Sequence, residues 1–377
     1  PGGSLPGRTR EVAAVDTASI RNRFPALDRL VDGRPAAYLD GPGGTQVPHE
    51  VIDAMVGFMK AGGSNHGGPF ITGRETDAVA ARAREAVADL INAASPDEIA
   101  FGQNMTSITL AVSRALGATW GANDNIVVTR LDHDANVWPW VLAARDAGAE
   151  VRWADFDPDS GCRLDLESLA EAIDENTRLV AFTHASNAVG TIVEVATVVA
   201  MARRVGALSY VDAVHYAPHG VIDVAATGCD FLAASAYKFF GPHTGFLYGR
   251  GRVLDSVAAY KIRPAPDDPP GKWETGTQSF ESLAGVAAAV DYLASLGAGP
   301  TRRDRLVDAM ARIGEYEQSL SARFLAGLGE MPGVELFGLD VVEGRTPTFA
   351  IDVDGHDPHS IASTLGDQGI FVWSGDY

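Results

Sequence analysis

Polar residues follow several strand-like segments of this sequence, and their side chains could carry out amine and proton-transfer chemistry. The stretch "ASAYKFFGPHTG" places Lys238 directly after an apolar run and before a glycine-containing turn. "DAVH" places Asp212 and His215 at the end of another run, and "LDHDAN" supplies His133. Because a lysine cation is costly to desolvate, a lysine at the end of an apolar strand is either a snorkelling side chain or an amine kept for chemistry.

The surrounding pattern predicts the elements that must position these residues. Strand-like apolar runs alternate with helical segments, which is typical of a mostly parallel α/β sheet. We predict helices in 75–94, 166–174 and 195–206. The last two strands are joined by a turn too short for a parallel crossover, so that edge should be antiparallel. The seven predicted strands lie near 98–103, 125–131, 150–156, 178–184, 208–214, 231–237 and 245–249.

A second unit is predicted after the proline-rich segment "KIRPAPDDPPGKW". Two long helical stretches follow, roughly 280–297 and 301–328, and "TPTFAIDVDG" is predicted to form a strand. In chain order we predict an N-terminal segment, 1–35, packing near the small domain; a large α/β domain, 36–275; and linking helices with a small C-terminal α+β domain, 276–377.

Composition and charge exclude several classes of protein. The 377 residues carry 30 Lys and Arg against 49 Asp and Glu, a net charge of -19 that repels nucleic acid and anionic membranes. The two cysteines, Cys162 and Cys229, lie far apart and predict neither a disulfide framework nor a zinc site, and no other metal site is predicted. With no signal-peptide or membrane-spanning pattern, we expect a protein of the reducing cytoplasm.

Taken singly, each polar residue has an ordinary structural interpretation. Asp212 could be a turn residue, His133 a solvated imidazole, Asn187 the first residue of an Asx-turn, and Lys238 a snorkelling lysine. Ligands of open α/β sheets, however, bind beyond the carboxyl ends of the strands. All four residues are predicted to lie at that edge, which favours a shared site.

An aldehyde cofactor held by lysine as a Schiff base would need this set of groups. Lys238 would supply the amine, and Asp212 would keep a ring nitrogen protonated. His133 offers a flat face against the ring, while Asn187 and His215 are placed to donate to an ionised phenol oxygen. A phosphate would bind at the start of the helix that contains Thr106 and Ser107.

These motifs also carry a family resemblance. "SNAVGT", "DAVH", "SAYK" and "ETGT", in this order, resemble the class V aminotransferases, which are pyridoxal-phosphate enzymes of fold type I. The chain is most similar to their cysteine desulfurase and selenocysteine lyase branch, in particular its desulfurase-like subgroup. The resemblance begins near "YLDGPGGTQVP" and runs to the last residue. It implies a seven-stranded, mostly parallel sheet with one antiparallel strand, and a homodimer that shares its active sites.

The resemblance implies roles for five residues around the cofactor ring. Lys238 would form the Schiff base and, once freed, move the proton at the substrate carbon. Asp212 would pair with the pyridinium nitrogen, and His133 would stack on the ring. Asn187 and His215 would contact the ring oxygen, with His215 standing where desulfurases usually have glutamine.

The resemblance also implies how the phosphate is bound. Thr106, the backbone of Met105 and Ser235 would contact it from the same subunit. Thr277 would reach it from the partner subunit. Tyr237 is a further cofactor contact, at the place of a histidine common in the relatives.

Substrate contacts are predicted from loops near this edge. "SNHGGPFITGRET" could bring polar side chains to the substrate, although a helix start capped by Thr72 with a solvated Arg74 is an equal alternative. "DGPGGTQVP" resembles a substrate-contacting loop, and "RTPTFAI" could direct an arginine toward an amino-acid carboxylate. The candidate substrate contacts are Gly43, Asn65, His66, Arg74, Asn136 and Arg345.

The sulfur chemistry of the resembling enzymes depends on a loop cysteine. The matching position falls immediately beyond Tyr377, and Trp373 stands where we expect an arginine. We expect Cys229 to be a buried hydrophobe and Cys162 to lie in an exposed loop. Neither matches a catalytic position, so persulfide transfer through either of them is not predicted.

The sequence therefore predicts a pyridoxal-phosphate enzyme acting on a small amino acid. Desulfurase-like or C–S and C–Se lyase chemistry is favoured, with a sulfur-acceptor protein as a partner; class V aminotransferase or epimerase activity is the alternative. A catalytically silent binding protein with this fold is a further alternative. A nucleotide-dependent oxidoreductase is disfavoured because "FGQNMTS" lacks the GxGxxG spacing.

Overall fold

The structure is a computed structural model that describes residues 16–375, and its central feature is a seven-stranded sheet. The sheet order is β1-β7-β6-β5-β4-β2-β3, and its pairs are parallel except those made by β7. The strands are β1 (Ile99–Gly102), β2 (Asn125–Thr129), β3 (Glu150–Ala154), β4 (Thr177–Thr183), β5 (Leu208–Asp212), β6 (Phe231–Ser235) and β7 (Gly245–Gly249).

The predicted antiparallel strand is confirmed, but it is not at the edge of the sheet. β7 pairs antiparallel with β6 on one side and with β1 on the other. The short link between β6 and β7 forces the chain to reverse rather than cross over. β1, from earlier in the chain, then adds outside β7 and becomes the edge strand.

Helices cover both faces of the sheet, which explains why its strands are continuously apolar. Val127 and Val180 pack into one cluster, whereas their neighbours Ile126 and Val128 pack into the other. Because successive side chains of a strand point to opposite faces, both faces are buried. The carboxyl ends of the parallel strands are consequently held in one fixed row.

The helices of the large unit agree broadly with prediction. The helix predicted from residue 75 begins at Ile71, one full turn earlier, after the extended residue Phe70. No helix within residues 16–375 is long and apolar enough to cross a bilayer. The helices are α1 (His49–Ala61), α2 (Ile71–Ile91), α3 (Met105–Gly117), α4 (Trp138–Ala147), α5 (Leu166–Ala172) and α6 (Val195–Arg204), with shorter helices at Thr17–Arg21, Val224–Thr227 and Gly251–Ser256.

The C-terminal unit contains both predicted long helices and the predicted strand. They are α7 (Phe280–Ser295), α8 (Arg302–Gly329) and β9 (Ala350–Val353), and β9 pairs antiparallel with β8 (Val334–Phe337). After α9 (Pro358–Asp367), Ile370–Phe371 pairs in parallel with Ala37–Tyr38. The remaining short strands are Leu30–Val31 with Arg34–Pro35 and Phe156–Asp157 with Arg163–Leu164.

The N-terminal segment runs between the two units. The aromatic ring of Phe24 packs on Phe240 and Tyr292, and Val31 lies beside Gly369 of the C-terminal unit. The predicted boundaries at residues 35 and 275 stay predictions. Residues 1–15 of that segment lie outside the part of the chain that the structure describes.

Candidate active site

Lys238 lies in a buried turn immediately after β6. Its side chain is 7% exposed, its Nζ donates to the carbonyl of Pro42, and it lies 5.0 Å from the ring centroid of Tyr237. Burial lowers the pKa of Lys238 to about 8, and the nearby Asp212 carboxylate opposes this shift. Because a neutral amine is the nucleophilic form, this environment suits Lys238 for attack on an aldehyde.

Asp212 ends the adjacent strand, β5, and is 5% exposed. Its Oδ1 accepts a hydrogen bond of 2.8 Å from the backbone N–H of Val214. Burial raises the pKa of Asp212 to about 6, while the Val214 N–H and Lys238 lower it. Asp212 is therefore a buried carboxylate within electrostatic reach of the Lys238 amine, and a positively charged ring nitrogen would stabilise it further.

His215 is buried three residues beyond Asp212, and the Lys238 amine also affects its pKa. Burial lowers the pKa of His215 well below its usual value, and His219 and Lys238 act in the same direction. Asn187, the other predicted ring-oxygen contact, is partly buried in the loop after β4. That loop is closed by the bridge between Ala185 and Ile192.

The start of α3 and the end of β6 meet as the predicted phosphate site requires. Ser235 Oγ accepts a 2.9 Å hydrogen bond from the backbone N–H of Met105, the first residue of α3. Asn104 caps the helix through the N–H of Ser107, at 2.8 Å, and Thr106 is exposed beside this cap. Backbone N–H groups and hydroxyls at a helix N-terminus form an anion site, so this corner could hold a phosphate.

His133 and Tyr237 provide flat rings near Lys238. His133 follows β2, and its Nδ1 accepts from the backbone N–H of Ala135 at 3.0 Å. Partial desolvation, together with Lys238, lowers the pKa of His133, although much of the ring remains exposed. Tyr237 stacks on His243 with ring centroids 5.0 Å apart and an interplanar angle of 5°.

The predicted substrate loop lies against Lys238 and against the C-terminal unit. The backbone N–H and the hydroxyl of Thr45 both donate to the Tyr237 carbonyl, each at 2.9 Å. A Cβ at Gly43 would lie only 2.0 Å from Nε1 of Trp373, so any larger residue there would have to displace this indole ring. Trp373, predicted to replace an arginine, is thus placed directly over the loop that contacts Lys238.

Four other predicted residues do not join this cluster within one chain. Asn65, His66 and Arg74 are exposed around the connection between α1 and α2. The Arg74 side chain donates to the carbonyl of Pro69, and Thr72 lies within α2 rather than capping it. Thr277 is exposed in the loop before α7, and its contact with the phosphate from a partner subunit stays a prediction.

The geometry corrects the prediction that Arg345 binds a substrate carboxylate. Arg345 is 6% exposed, and its guanidinium donates to the carbonyls of Leu339 and Thr348. Its Cζ also lies 4.1 Å from the ring centroid of Phe349. Since the guanidinium of Arg345 donates to these backbone carbonyls, Arg345 stabilises the local backbone of the C-terminal unit and does not face a substrate.

The prediction that Cys162 is exposed is wrong. Cys162 is buried at 7% exposure, because Leu339 of the C-terminal unit covers the adjacent Gly161. Burial raises its pKa and raises the pKa of Cys229, which is fully buried as predicted, to about 11. Neither thiol has the exposure or the low pKa of a reactive cysteine.

Asp132 is a partly buried acid that sequence reasoning did not select. Its Oδ2 accepts from the Thr129 hydroxyl and from the Thr183 N–H, the latter at 2.9 Å, and its Oδ1 accepts from Asn136 Nδ2 at 2.6 Å. Burial raises the pKa of Asp132, which also lies within electrostatic reach of Asp212. Its place beside His133 in "LDHDAN" was the available signal.

Asn136 supports this acid instead of facing the loop that contacts Lys238. It is fully buried, its Oδ1 accepts from Trp140 Nε1 at 3.1 Å, and its Nδ2 donates to Asp132.

We expect Asn136→Ala to lower the free energy of unfolding by about 2–4 kcal/mol, because two hydrogen bonds of a buried side chain are lost and their partners are left without them. Urea denaturation of the cofactor-free protein measures this, with exposed Asn176→Ala as control. A raised KM at unchanged stability would instead support the predicted substrate contact.

Comparison with known proteins gives the family. The family "Aminotransferase class-V" matches residues 37–377. A probable cysteine desulfurase of Streptomyces coelicolor is 33% identical over 386 residues, covering 96% of this chain and 88% of the relative. The apo cysteine desulfurase from Thermococcus onnurineus NA1 superposes with a TM-score of 0.85 at 27% identity, covering 96% of this chain and 88% of that one. A C-DES mutant with glycine covalently linked to pyridoxal phosphate shows the same fold, with a TM-score of 0.76 at 22% identity and coverage of 93% and 90%.

The sheet and the groups at its carboxyl edge define a fold type I enzyme that uses pyridoxal phosphate. The chain belongs to the class V aminotransferase family. Within that family it is an enzyme of the cysteine desulfurase-like kind. The predicted family, fold and cofactor are therefore confirmed.

The residues present fit pyridoxal phosphate. The buried Lys238 amine, which has a lowered pKa, follows β6, and the buried Asp212 carboxylate ends β5. These two strands are neighbours, since Asp212 pairs with Ala233 of β6. The start of α3, bonded to Ser235, adds an anion-binding corner. Lys238 could hold the aldehyde carbon, Asp212 the ring nitrogen, and this corner the phosphate.

Cofactor loading should depend on pH through Lys238. Its pKa of about 8 means that the cationic form dominates below that value. We expect the rate of loading to rise about tenfold per pH unit below about 8 and to level off above it, since only the neutral amine attacks the aldehyde. Stopped-flow absorbance after mixing apoprotein with pyridoxal phosphate measures the profile. A midpoint near the ordinary lysine pKa would contradict the lowered value.

Proposed function

We propose that this enzyme cleaves the bond between the β-carbon and sulfur or selenium in a small amino acid, with cysteine as the leading substrate. The main support is the buried Lys238 amine beside the buried Asp212 carboxylate. Similarity to cysteine desulfurases supports the choice of substrate class. Bound pyridoxal phosphate supplies an electron sink that stabilises negative charge at the substrate α-carbon.

The proposed roles of the chain's own residues follow from their placement. Lys238 would hold the cofactor aldehyde and, as a free amine, would take the proton from the substrate α-carbon. Asp212 would keep the ring nitrogen protonated, and His133 would pack against the ring face. Asn187 and His215 would donate to the phenol oxygen, and Tyr237 would close the side of the site next to Lys238.

Phosphate binding is proposed at the start of α3. The Thr106 hydroxyl, the Ser235 hydroxyl and the backbone at Met105, whose N–H donates to Ser235 Oγ in this structure, are the proposed groups from one subunit. These groups are neutral, so the helix N-terminus contributes the favourable electrostatic potential. The protein's net charge of -19 makes such local donors necessary for binding an anion.

The sulfur acceptor is proposed to be a thiol outside the two cysteines described above. Cys162 and Cys229 are buried with raised pKa values, so neither is proposed to form a persulfide. In desulfuration an acceptor thiolate attacks the substrate sulfur, its Cβ–S bond breaks, and the substrate becomes alanine after protonation. A sulfur-acceptor protein remains a proposed partner.

A homodimer with shared active sites is also proposed. Exposed apolar side chains on α1 and at the start of α2 offer a contact surface: Met59 and Ile71 are 67% and 63% exposed. Thr277, Asn65 and His66 are exposed near the same elements, so a second subunit could use them. Sedimentation equilibrium tests the dimer, and activity recovered by mixing Thr277→Ala with Lys238→Ala subunits tests the sharing. We also propose that the enzyme is located in the cytoplasm.

Product analysis tests the reaction itself. The holoenzyme is incubated with cysteine, selenocysteine, cysteine sulfinate and alanine, and sulfide, alanine, pyruvate and ammonia are measured separately. Alanine formed together with sulfide under a reducing thiol supports desulfuration, whereas pyruvate with ammonia supports β-elimination. Conversion of the cofactor to its amine form would favour the aminotransferase alternative. Protein that stays colourless after cofactor addition would contradict every enzymatic interpretation.

A further inference from the structure

A short segment of the C-terminal unit is fastened across the loop that follows β4. The backbone N–H of Thr346 donates to the Gly190 carbonyl, and the Ile192 N–H donates to the Gly344 carbonyl, both at 2.9 Å. Thr191 and Arg345 form the bridge between these bonds. We call residues 345–348 the threonine clasp. It ties the C-terminal unit to the strand edge where the cofactor site lies.

Two hydroxyls of the threonine clasp surround one nitrogen of His215. His215 Nε2 lies 2.8 Å from Thr348 Oγ1 and 3.2 Å from Thr346 Oγ1. All three residues are buried, at 5%, 7% and 2% exposure. Such contacts are worth most where water is excluded, so the hydroxyls constrain both the orientation and the proton of the ring.

The charged groups around His215 favour its neutral form. Burial is the largest cause of its lowered pKa, and His219 and Lys238 add to it. The His219 ring lies 5.4 Å from the His215 ring, and its Nδ1 lies 3.0 Å from Glu317 of α8. A neutral imidazole has one donor nitrogen and one acceptor nitrogen, so the partner of one nitrogen decides the role of the other.

We propose that Thr348 is a positioning residue that donates to His215 Nε2 and thereby keeps the proton on Nδ1. The inference rests on the proposed function and adds a residue that acts through His215. A ring with its proton on Nδ1 has one N–H left to donate, and the phenol oxygen of the cofactor is the group that needs a donor. The Thr346 hydroxyl donates to the Gly190 carbonyl at 3.3 Å, which leaves the Thr348 hydroxyl as the donor to Nε2.

The anchoring of the clasp explains how a threonine from another unit can be placed so closely. Arg345 binds the Thr348 carbonyl and the Leu339 carbonyl and lies over Phe349. The Thr348 N–H donates to the Thr346 carbonyl at 2.8 Å. The side chains of Thr346 and Thr348 therefore share one direction, toward His215. The hydrogen bonding of the cofactor ring thus depends on the C-terminal unit.

The test is a pH titration of the visible absorbance of the lysine-bound cofactor. We expect Thr348→Val to raise the titration midpoint by about 0.5–1 pH unit, because a weaker donor leaves more negative charge on the phenol oxygen and stabilises the protonated linkage. Thr348→Ser should restore the original midpoint. Thr191→Val is the matched control, since its buried hydroxyl bonds the Gly161 carbonyl at 2.9 Å in the same region.

A purely structural role gives a different result. If Thr348→Val and Thr191→Val lower the melting temperature alike and leave the midpoint unchanged, the inference is wrong. Should Thr348→Val fail to fold, imidazole 15N shifts of the wild-type holoenzyme, assigned with His215→Gln, decide between the tautomers. A proton on Nε2 would overturn the proposal. Failure of the wild type to bind the cofactor would instead count against the proposed function.

Discussion

Replacing Lys238 with alanine is expected to lower the rate of amino-acid turnover by a factor of about 1000 or more. The variant loses the amine that holds the aldehyde and moves the α-carbon proton. The visible band near about 420 nm should disappear as well, because no linkage to the protein can form. Steady-state kinetics and absorption spectra after reconstitution measure both effects.

The chain offers a matched control for this variant. Lys272 is also 7% exposed, and its Nζ donates to the Asp255 carbonyl at 3.0 Å. Lys272→Ala removes a buried lysine outside the proposed site, so it should affect stability while leaving the visible band in place. Equal spectra for Lys238→Ala and wild type would refute the proposed Schiff base.

Asp212→Asn is expected to produce the second largest effect, a loss of about 100-fold to 1000-fold in kcat/KM. Asparagine keeps the shape of the side chain but removes the charge that holds a proton on the ring nitrogen. The ring then becomes a weaker electron sink, so removal of the α-carbon proton should slow most. Exchange of the substrate α-proton with deuterium, followed by NMR, measures that step directly.

Asp230→Asn is the control that distinguishes the loss of the Asp212 charge at the proposed site from a general loss of stability. Asp230 precedes β6 at the opposite edge, where it accepts from Ser209 and lies 3.4 Å from Arg250. This variant should lose stability and retain α-proton exchange. If both variants lose exchange in proportion to their stability, Asp212 is a structural residue and its proposed role fails.

Burial could be predicted from the sequence where the pattern is periodic and local. The apolar strand runs around Val127, Val180 and Val211 alternate with helical segments, and this alternation predicted a mostly parallel α/β sheet. The long helices α7 and α8 began and ended within about two residues of the prediction for the same reason. The antiparallel strand followed from the length of one turn, but its inner position depended on β1, which lies far away in sequence.

Side-chain partners at the site could not be predicted in this way. Arg345 looked like a carboxylate ligand, yet carbonyls of Leu339 and Thr348 surround it. Cys162 looked exposed, yet Leu339 covers its turn. Asn136 is buried and bonded to the partly buried Asp132 only because the chain after β2 folds over the start of α4. Each outcome depends on contacts between residues that are distant in sequence or separated by irregular chain.

The sequence by itself determined the kind of chemistry, because the order of strand ends fixes which side chains reach the carboxyl edge. Lys238, Asp212 and His215 follow neighbouring strands, and the parallel arrangement brings them together. Only the tertiary structure decided that Thr346 and Thr348 hold His215, and that Trp373 lies over Gly43. The strands and the residues that follow them are encoded by local periodicity, whereas these contacts depend on how the C-terminal unit packs against the sheet.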